Sequence, residues 1–130
     1  MPSGLPAVTG DVLTAANYNS LVAFTVGTAN TTDYTAVLAD SYQVLEVMNK
    51  ATAIAFKIPT DASVAFPVGT ALTILNIGVG DCTISAVTPG TTTVISTGAT
   101  SATPKLRVAN SGATCKKLAA NSWIVFGDIS

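Results

Sequence analysis

From Tyr34 onward, apolar and polar residues alternate along most of the chain, with the period of two that is typical of half-buried β-strands. In TAIAFKIP the residues Ile54, Phe56 and Ile58 point to one face, and in DCTISAV the parity places Cys82 in the core. Turn residues separate such runs at intervals of about 8 to 12 residues. The pattern predicts an all-β fold, an antiparallel β-sandwich or barrel of about nine short strands, over residues 34–130.

The stretch GDVLTAANYNSLVAF, residues 10–24, has a different pattern. Thr14 is a suitable N-cap, and apolar positions recur at helical spacing after it, so we predict one short helix over residues 14–23. A helix of about ten residues is too short to be stable alone, so it must lie on its own β body or on a partner. We therefore divide the chain into an extended N-terminal arm with this helix and a connector (residues 1–33) and a β body (residues 34–130).

Three further details of the body follow from the pattern. The longer connection PTDASVAFPVG after the strand at residues 54–58 is expected to bury Phe66 as a plug. The glycine-rich GVGD, residues 78–81, is typical of a tight hairpin turn and lacks the lysine and the helix of a phosphate loop. In PKLRV, Leu106 and Val108 are expected to point inwards.

Composition makes a catalytic or nucleic-acid-binding protein less probable than an assembly protein. Charged residues are 10% of the chain and apolar residues 48%, with a net charge of −1. A weakly charged surface does not repel copies of itself, which favours an oligomer, and it offers no field that would attract nucleic acid or a membrane surface. The N-terminal sequence has neither the basic nor the apolar region of a signal peptide, so we expect folding in a cytoplasm.

The residues that usually carry chemistry are scarce. The chain has no histidine, which removes the commonest general base and metal ligand. Of the acidic residues only Glu46 lies within a predicted strand; the others are Asp11, Asp33, Asp40, Asp61, Asp81 and Asp128. A carboxylate pair that meets in space stays open as an alternative, but no loop spaces its acids as a calcium site does. We predict no catalytic residues, no metal and no cofactor.

Two small groups of residues allow alternative interpretations. Cys82 and Cys115 are expected to be free, buried thiols, although a disulfide stays possible if their strands are neighbours. The basic residues of the last third form either a small positive patch or, as we prefer, solvated strand faces. These residues are Lys105, Arg107, Lys116 and Lys117.

The order of several short motifs resembles a β domain of structural proteins of tailed bacteriophages. The resemblance covers residues 34–130 and is carried by Ile58-Pro59, the connection Ser63 to Thr70 (SVAFPVGT), Gly78 to Thr83, and the closing strand Trp123 to Asp128 (WIVFGD). The segment GDVLTAANYNSLV also resembles the openings of phage fibre and decoration chains.

This resemblance implies a virion protein, either a capsid decoration (cement) protein or a short fibre subunit, often trimeric. The sequence has no coiled coil, collagen-like repeat or long shaft, which favours decoration of the outer capsid over a tail fibre. The implied partners are the major capsid protein and copies of the chain itself, with assembly in the host cytoplasm and no role for nucleic acid or membrane.

We expect the arm to bind the capsid or a neighbouring copy through its apolar residues, which are Leu5, Val8, Val12, Leu13, Tyr18, Leu21 and Phe24. The alternative is a tail-fibre or tailspike module that binds a host receptor or glycan, with Tyr34, Tyr42 and Trp123 as candidate stacking residues. For Trp123 the apolar strand around it favours a core position. A small glycosidase is the third and least favoured interpretation.

Overall fold

The computed structural model describes residues 14–15, 24–96, 103–106 and 108–130. Within them a 3-10 helix spans Leu38–Ser41. The strands are β1 (Thr25–Val26), β2 (Tyr34–Thr35), β3 (Val44–Met48), β4 (Ile54–Ile58), β5 (Ala71–Asn76), β6 (Cys82–Ala86), β7 (Thr93–Ser96), β8 (Lys105–Leu106), β9 (Ser111–Ala119) and β10 (Ser122–Gly127). The predicted all-β class is confirmed.

The strands form two sheets that pack on each other. Sheet A has the order β1-β3-β5-β9-β10-β7, and sheet B has the order β2-β4-β6-β8. From β1 to β8 every strand lies in the opposite sheet from the one before it, so the chain passes back and forth between the two sheets. Of the described strands, only β9 and β10 follow each other within one sheet.

This alternation makes the prediction of antiparallel pairing wrong for five of the eight strand pairs. Parallel neighbours need a crossover connection. Here the strand in the opposite sheet supplies that crossover without a helix. Two successive parallel pairs have the same offset, since Leu45 pairs with Thr73 in sheet A and Phe56 pairs with Ile84 in sheet B, 28 residues later in both cases.

The turns between the sheets stack on one another. The turn after β5 lies on the turn after β3, with hydrogen bonds from Ile77 N to Met48 O and from Gly80 N to Lys50 O, both 2.9 Å. A Cβ atom at Gly80 would collide with the carbonyl group of Thr52, which explains why this turn is rich in glycine. The interpretation of GVGD as a hairpin turn is wrong, because the strands on either side of it lie in different sheets.

The core lies between the two sheets and follows the predicted alternation. Ile54, Phe56 and Ile58 are all buried, and so is Cys82. The predicted plug Phe66 is buried as well and packs edge-on against Trp123, with ring centroids 5.5 Å apart. Leu106 points inwards as expected. Val108 does not, since 56% of its surface is exposed just beyond the end of β8.

The segment predicted as the connector, the last part of the arm, lies along β3. Gly27 N donates to Leu45 O at 2.9 Å, and Asn30 N donates to Val47 O at 2.8 Å. Of the predicted helix over residues 14–23, the structure describes Thr14 and Ala15, with Ala15 helical, and the rest lies outside the described residues. None of the helices within the described ranges has the length and hydropathy needed to cross a membrane.

Candidate interaction surface

The outer face of sheet A, which points away from the core, carries a nearly uncharged row of side chains. Successive strand pairs place Val26 opposite Leu45, Leu45 opposite Thr73, Thr73 opposite Thr114 and Thr114 opposite Phe126. We call these five residues the central row. They come from five adjacent strands, and each is next to its neighbour on the same face, where cross-strand side chains touch.

A second row crosses the same face one pleat further along. It consists of Ala71, Lys116, Ile124 and Ile95, from β5, β9, β10 and β7. Lys116 is the one charged residue that the described strand positions place on this face. Several apolar side chains on it are open to solvent, with exposed fractions of 71% for Val26, 49% for Phe126 and 45% for Ile95.

Two shallow grooves lie side by side on this face. One, of about 340 Å³, runs between Leu45, Leu75 and Phe126, and the other, of about 330 Å³, is bordered by Phe24, Gln43 and Leu45. Leu45 and Thr73 line both grooves, so the grooves form one continuous surface. No charged side chain lines either of them.

Phe24 is the one predicted docking residue within the described residues. It directly precedes β1, borders the second groove and is 82% exposed. The arm therefore joins the body at the margin of the outer face of sheet A. The other predicted docking residues lie outside the described residues: Leu5, Val8, Val12, Leu13, Tyr18 and Leu21.

The outer face of sheet B has the opposite character. Its strand pairs align Ala55 with Thr83 and Lys105, and Thr35 with Lys57 and Ser85. The two lysines of this face pair with carboxylates at 3.2 Å (Lys105 with Asp81) and 3.8 Å (Lys57 with Asp33). Sheet B thus presents a polar surface that suits contact with water.

The expected basic cluster is not formed as a common patch by the residues that are described. Lys105 lies on sheet B and Lys116 on the outer face of sheet A. The preferred alternative, solvated strand faces, is wrong for Lys117, whose side chain is buried and pairs with Asp61 at 2.8 Å. Arg107 lies outside the described residues.

Within the described ranges, the structure brings together one pair of buried carboxyl groups, those of Asp40 and Glu46. Burial, together with a hydrogen bond to Asp40 and the charge of that residue, raises the pKa of Glu46 to about 8, while a hydrogen bond with Asn30 acts in the opposite direction. Asp40 also accepts hydrogen bonds from the Tyr34 hydroxyl (2.7 Å) and from Val37 N (2.8 Å). Burial and the contact with Asp40 raise the pKa of Tyr34 as well.

This acid pair differs from the pairs that flank a glycosidic bond. Those carboxyl groups stand about 5 Å or more apart with substrate between them. Here Asp40 and Glu46 are hydrogen-bonded to each other and closed off from solvent, so that a proton on Glu46 is shared within the fold. We interpret the pair as part of the packing between β3 and the 3-10 helix.

The candidate sugar-stacking residues do not form one surface. Trp123 is completely buried in the core, as the apolar character of its strand predicts. Tyr34 is half-buried and tilts against Phe56 at 5.8 Å, with its hydroxyl bonded to Asp40. Tyr42, 54% exposed, remains available for contact.

Cys82 and Cys115 are both free and buried, which confirms the preferred interpretation. Burial raises the pKa of Cys82 to about 11 and also raises that of Cys115. Among the described residues, no group of three or more acids and cysteines is placed to hold a metal ion.

Analysis of the sequence missed the outer face of sheet A, although a signal was present. In β5, both sets of alternating positions are mainly apolar: Leu72 and Ile74 face the core, whereas Ala71, Thr73 and Leu75 face outwards. A strand that is apolar on both faces is typical of a sheet covered on both sides.

Comparisons of the chain with protein-family models, curated proteins and solved structures gave no match.

Proposed function

We propose that this chain is a non-enzymatic structural protein of a bacteriophage virion. In this proposal it decorates the outer capsid shell as a homotrimer, binds the major capsid protein through the N-terminal arm, and stabilises the shell. The two packed sheets act as a β-sandwich body that adds mass and contact area. The virion setting rests on the resemblance of residues 34–130 to phage structural domains.

The observation that supports an assembly role most directly is the exposed apolar surface where the arm meets the body. Phe24, at 82% exposure, lies next to the exposed Val26 at the edge of the outer face of sheet A. Burying an apolar side chain of this size against a partner contributes roughly 1.5–3 kcal/mol before the cost of ordering the arm. When several arms of one oligomer bind at the same time, avidity raises the apparent affinity above that of a single arm.

Two of the segments that carry the resemblance contact each other in the fold. Phe66 from the connection SVAFPVGT packs against Trp123 from the closing strand. The connection between β4 and β5 and the final hairpin therefore form one packing unit.

Co-sedimentation with capsid shells tests the proposal. Shells of the phage that encodes the protein, stripped of it, are mixed with the wild-type chain or with the variant L13D/L21D, and V79D serves as the control because Val79 is an exposed residue of the turn after β5. We expect wild type and V79D to bind. The arm variant should bind at least about tenfold more weakly, because binding would bury two unpaired aspartate charges. Undiminished binding by the arm variant would refute the arm, and no binding by wild type would refute decoration.

The tail-fibre alternative keeps one supporting observation, the exposed Tyr42 directly after the 3-10 helix, whose first residue Leu38 is exposed as well. Electron microscopy of virions labelled through this protein separates the two functions. Label on the shell agrees with decoration, and label at the tail agrees with receptor or glycan binding.

A further inference from the structure

The two sheets of the molecule differ in what they expose. The outer face of sheet B carries threonine, serine and lysine, and its two lysines are paired with aspartates. The outer face of sheet A carries Val26, Phe126 and Ile95 with 45% or more of each residue exposed, and Leu45, Thr73 and Thr114 lie between Val26 and Phe126. An exposed, uncharged surface of apolar and threonine side chains on one side of a molecule is typical of an interaction surface.

We propose that the outer face of sheet A is the surface through which copies of this chain associate in pairs, with two like faces packed on each other across a twofold axis. The inference goes beyond the proposed function, because this twofold contact is separate from the contacts of the proposed homotrimer. It does not require the capsid, and it concerns sheet A, including β1, rather than the residues that precede Phe24.

The charge distribution favours a second copy as the occupant. The described residues that line the two grooves carry no charge, so the face offers nothing that would pair with a charged partner surface. A second copy presents the same uncharged central row, and two such rows bury each other without leaving an unpaired ion. Self-complementary patches of this kind are the usual basis of symmetric oligomers.

The charge of Lys116 indicates that the central row, rather than the second row, forms the middle of the interface. It lies in the second row, two residues along β9 from Thr114 of the central row. If the central row forms the middle of the interface, the lysine stem runs along the edge of the contact and its ammonium group stays in water. This arrangement has the apolar centre and polar rim of specific interfaces.

The size of the face corresponds to a small interface. The central row crosses five strands, the second row four, and a third row of Val47, Leu75 and Gly112 crosses three. With strands about 4.8 Å and pleat rows about 7 Å apart, these positions cover roughly 400 Å² per copy. Two like faces then bury about 800 Å² in total, which is the range of weak, reversible association. Phe24, at the margin of the same face, extends the contact area further.

Sedimentation analysis of the purified full-length chain tests the inference without any capsid. Variant T73D places a charge in the middle of the central row, on an exposed position of β5. The matched control T83D makes the same substitution on the outer face of sheet B, in β6. Circular dichroism and a thermal melt of each variant establish that it is folded.

We expect wild type and T83D to be oligomers that persist at high salt, since an apolar interface is not screened by ions. We expect T73D to dissociate with a constant at least tenfold higher, and F126D to behave as T73D does. A wild type that stays monomeric would overturn the inference, whether its own arm or a capsid protein covers the face. Equal effects of T73D and T83D on association would overturn it as well.

These results are separable from the proposed function. If the oligomer forms through this face and the shells are not bound, the inference stands and decoration is refuted. If wild type and T73D are both monomeric and only T73D fails to bind shells, the face belongs to the capsid protein, and the inference is refuted while decoration stands.

Discussion

The ammonium nitrogen of Lys117 lies 2.8 Å from a carboxylate oxygen of Asp61 and 2.6 Å from the carbonyl oxygen of Phe66. Lys117 belongs to β9, whereas Asp61 and Phe66 belong to the long connection between β4 and β5. The exposed fraction of the Lys117 side chain is 3%, against 27% for Asp61. The ion pair therefore fastens the connection, with its plug Phe66, onto sheet A.

The unequal burial of this pair predicts unequal effects of removing its two members. D61A leaves the ammonium group buried without its counter-ion and should lower the free energy of unfolding by about 3–5 kcal/mol. K117M should lower the free energy of unfolding by less than D61A does. The remaining carboxylate of Asp61 reaches solvent, and the methionine fills the space of the lysine stem. Urea unfolding of both variants measures the two losses. A larger loss for K117M than for D61A would contradict this account.

The same pair predicts a loss of stability in acid. The hydrogen bond and charge of Lys117 hold the pKa of Asp61 below its ordinary value despite the opposing effect of burial. A carboxyl with a lowered folded-state pKa stabilises the protein above its ordinary pKa, and this contribution disappears as the pH falls through the lowered value. The difference in unfolding free energy between wild type and D61N should accordingly shrink below about pH 4. A difference that is constant down to pH 2 would argue against the assignment.

Glu46 predicts the opposite trend at higher pH. Its folded-state pKa of about 8 lies above the ordinary value of 4.5 for a glutamate, so the native protein holds a proton that the unfolded chain releases. The free energy of unfolding should therefore fall as the pH rises from about 4.5 to about 8 and level off above that. E46Q, which keeps a neutral donor beside Asp40, should remove this slope and be more stable than wild type at pH 9. The control D81N alters an exposed ion pair and should leave the slope in place; a slope that survives in E46Q would refute the explanation.

Two glycines offer a matched test of the stacked turns. A methyl group at Gly80 would overlap the carbonyl of Thr52, whereas nothing lies within 4 Å of the corresponding position at Gly90. G80A should lower the unfolding free energy by about 1–3 kcal/mol or more, because two backbones must move apart. G90A should be neutral or stabilise by a few tenths of a kcal/mol. Thermal melts of the two variants compare them directly, and similar melting temperatures would show that the turns do not pack as described.

The two thiols should be inert in the folded protein. Burial raises the pKa of both Cys82 and Cys115, so that little thiolate forms near neutral pH and reagents do not reach it. A thiol reagent should label neither cysteine in buffer and both in concentrated urea, as measured by intact mass. Rapid labelling of either residue under native conditions would show that its strand opens or that the residue is exposed.

The sequence predicts which side of a strand faces the core better than it predicts which strands are neighbours. The positions of Ile54, Phe56, Ile58 and Cys82 follow from alternation, which is a local property. Pairing is not local: a turn such as residues 78–81 has the same composition whether it joins two strands of a hairpin or leads into the other sheet. The antiparallel prediction failed for this reason at five of the eight strand pairs, whereas β9 and β10, which a short turn joins, do pair in the antiparallel direction.

The environment of Lys117 shows the same limit at a single residue. Parity along β9 places it on the same face as Cys115 and Ala113, so its inward direction could have been predicted. Its partner could not, because Asp61 lies 56 residues earlier, in a connection without a regular pattern. The pairing of Asp40 with Glu46 is comparable, since the 3-10 helix that carries Asp40 was not predicted.

The position of β9 and β10 has a consequence for the nascent chain. These two strands are the last of the described strands to leave the ribosome, yet they lie between β5 and β7 in the middle of sheet A. Until they emerge, β7 has no neighbour in its sheet and one edge of β5 is unpaired. Such unpaired strand edges can form hydrogen bonds with other incomplete chains. Sheet A can therefore be completed only after β9 and β10 have been translated. We expect a stalled or truncated chain to aggregate rather than to fold.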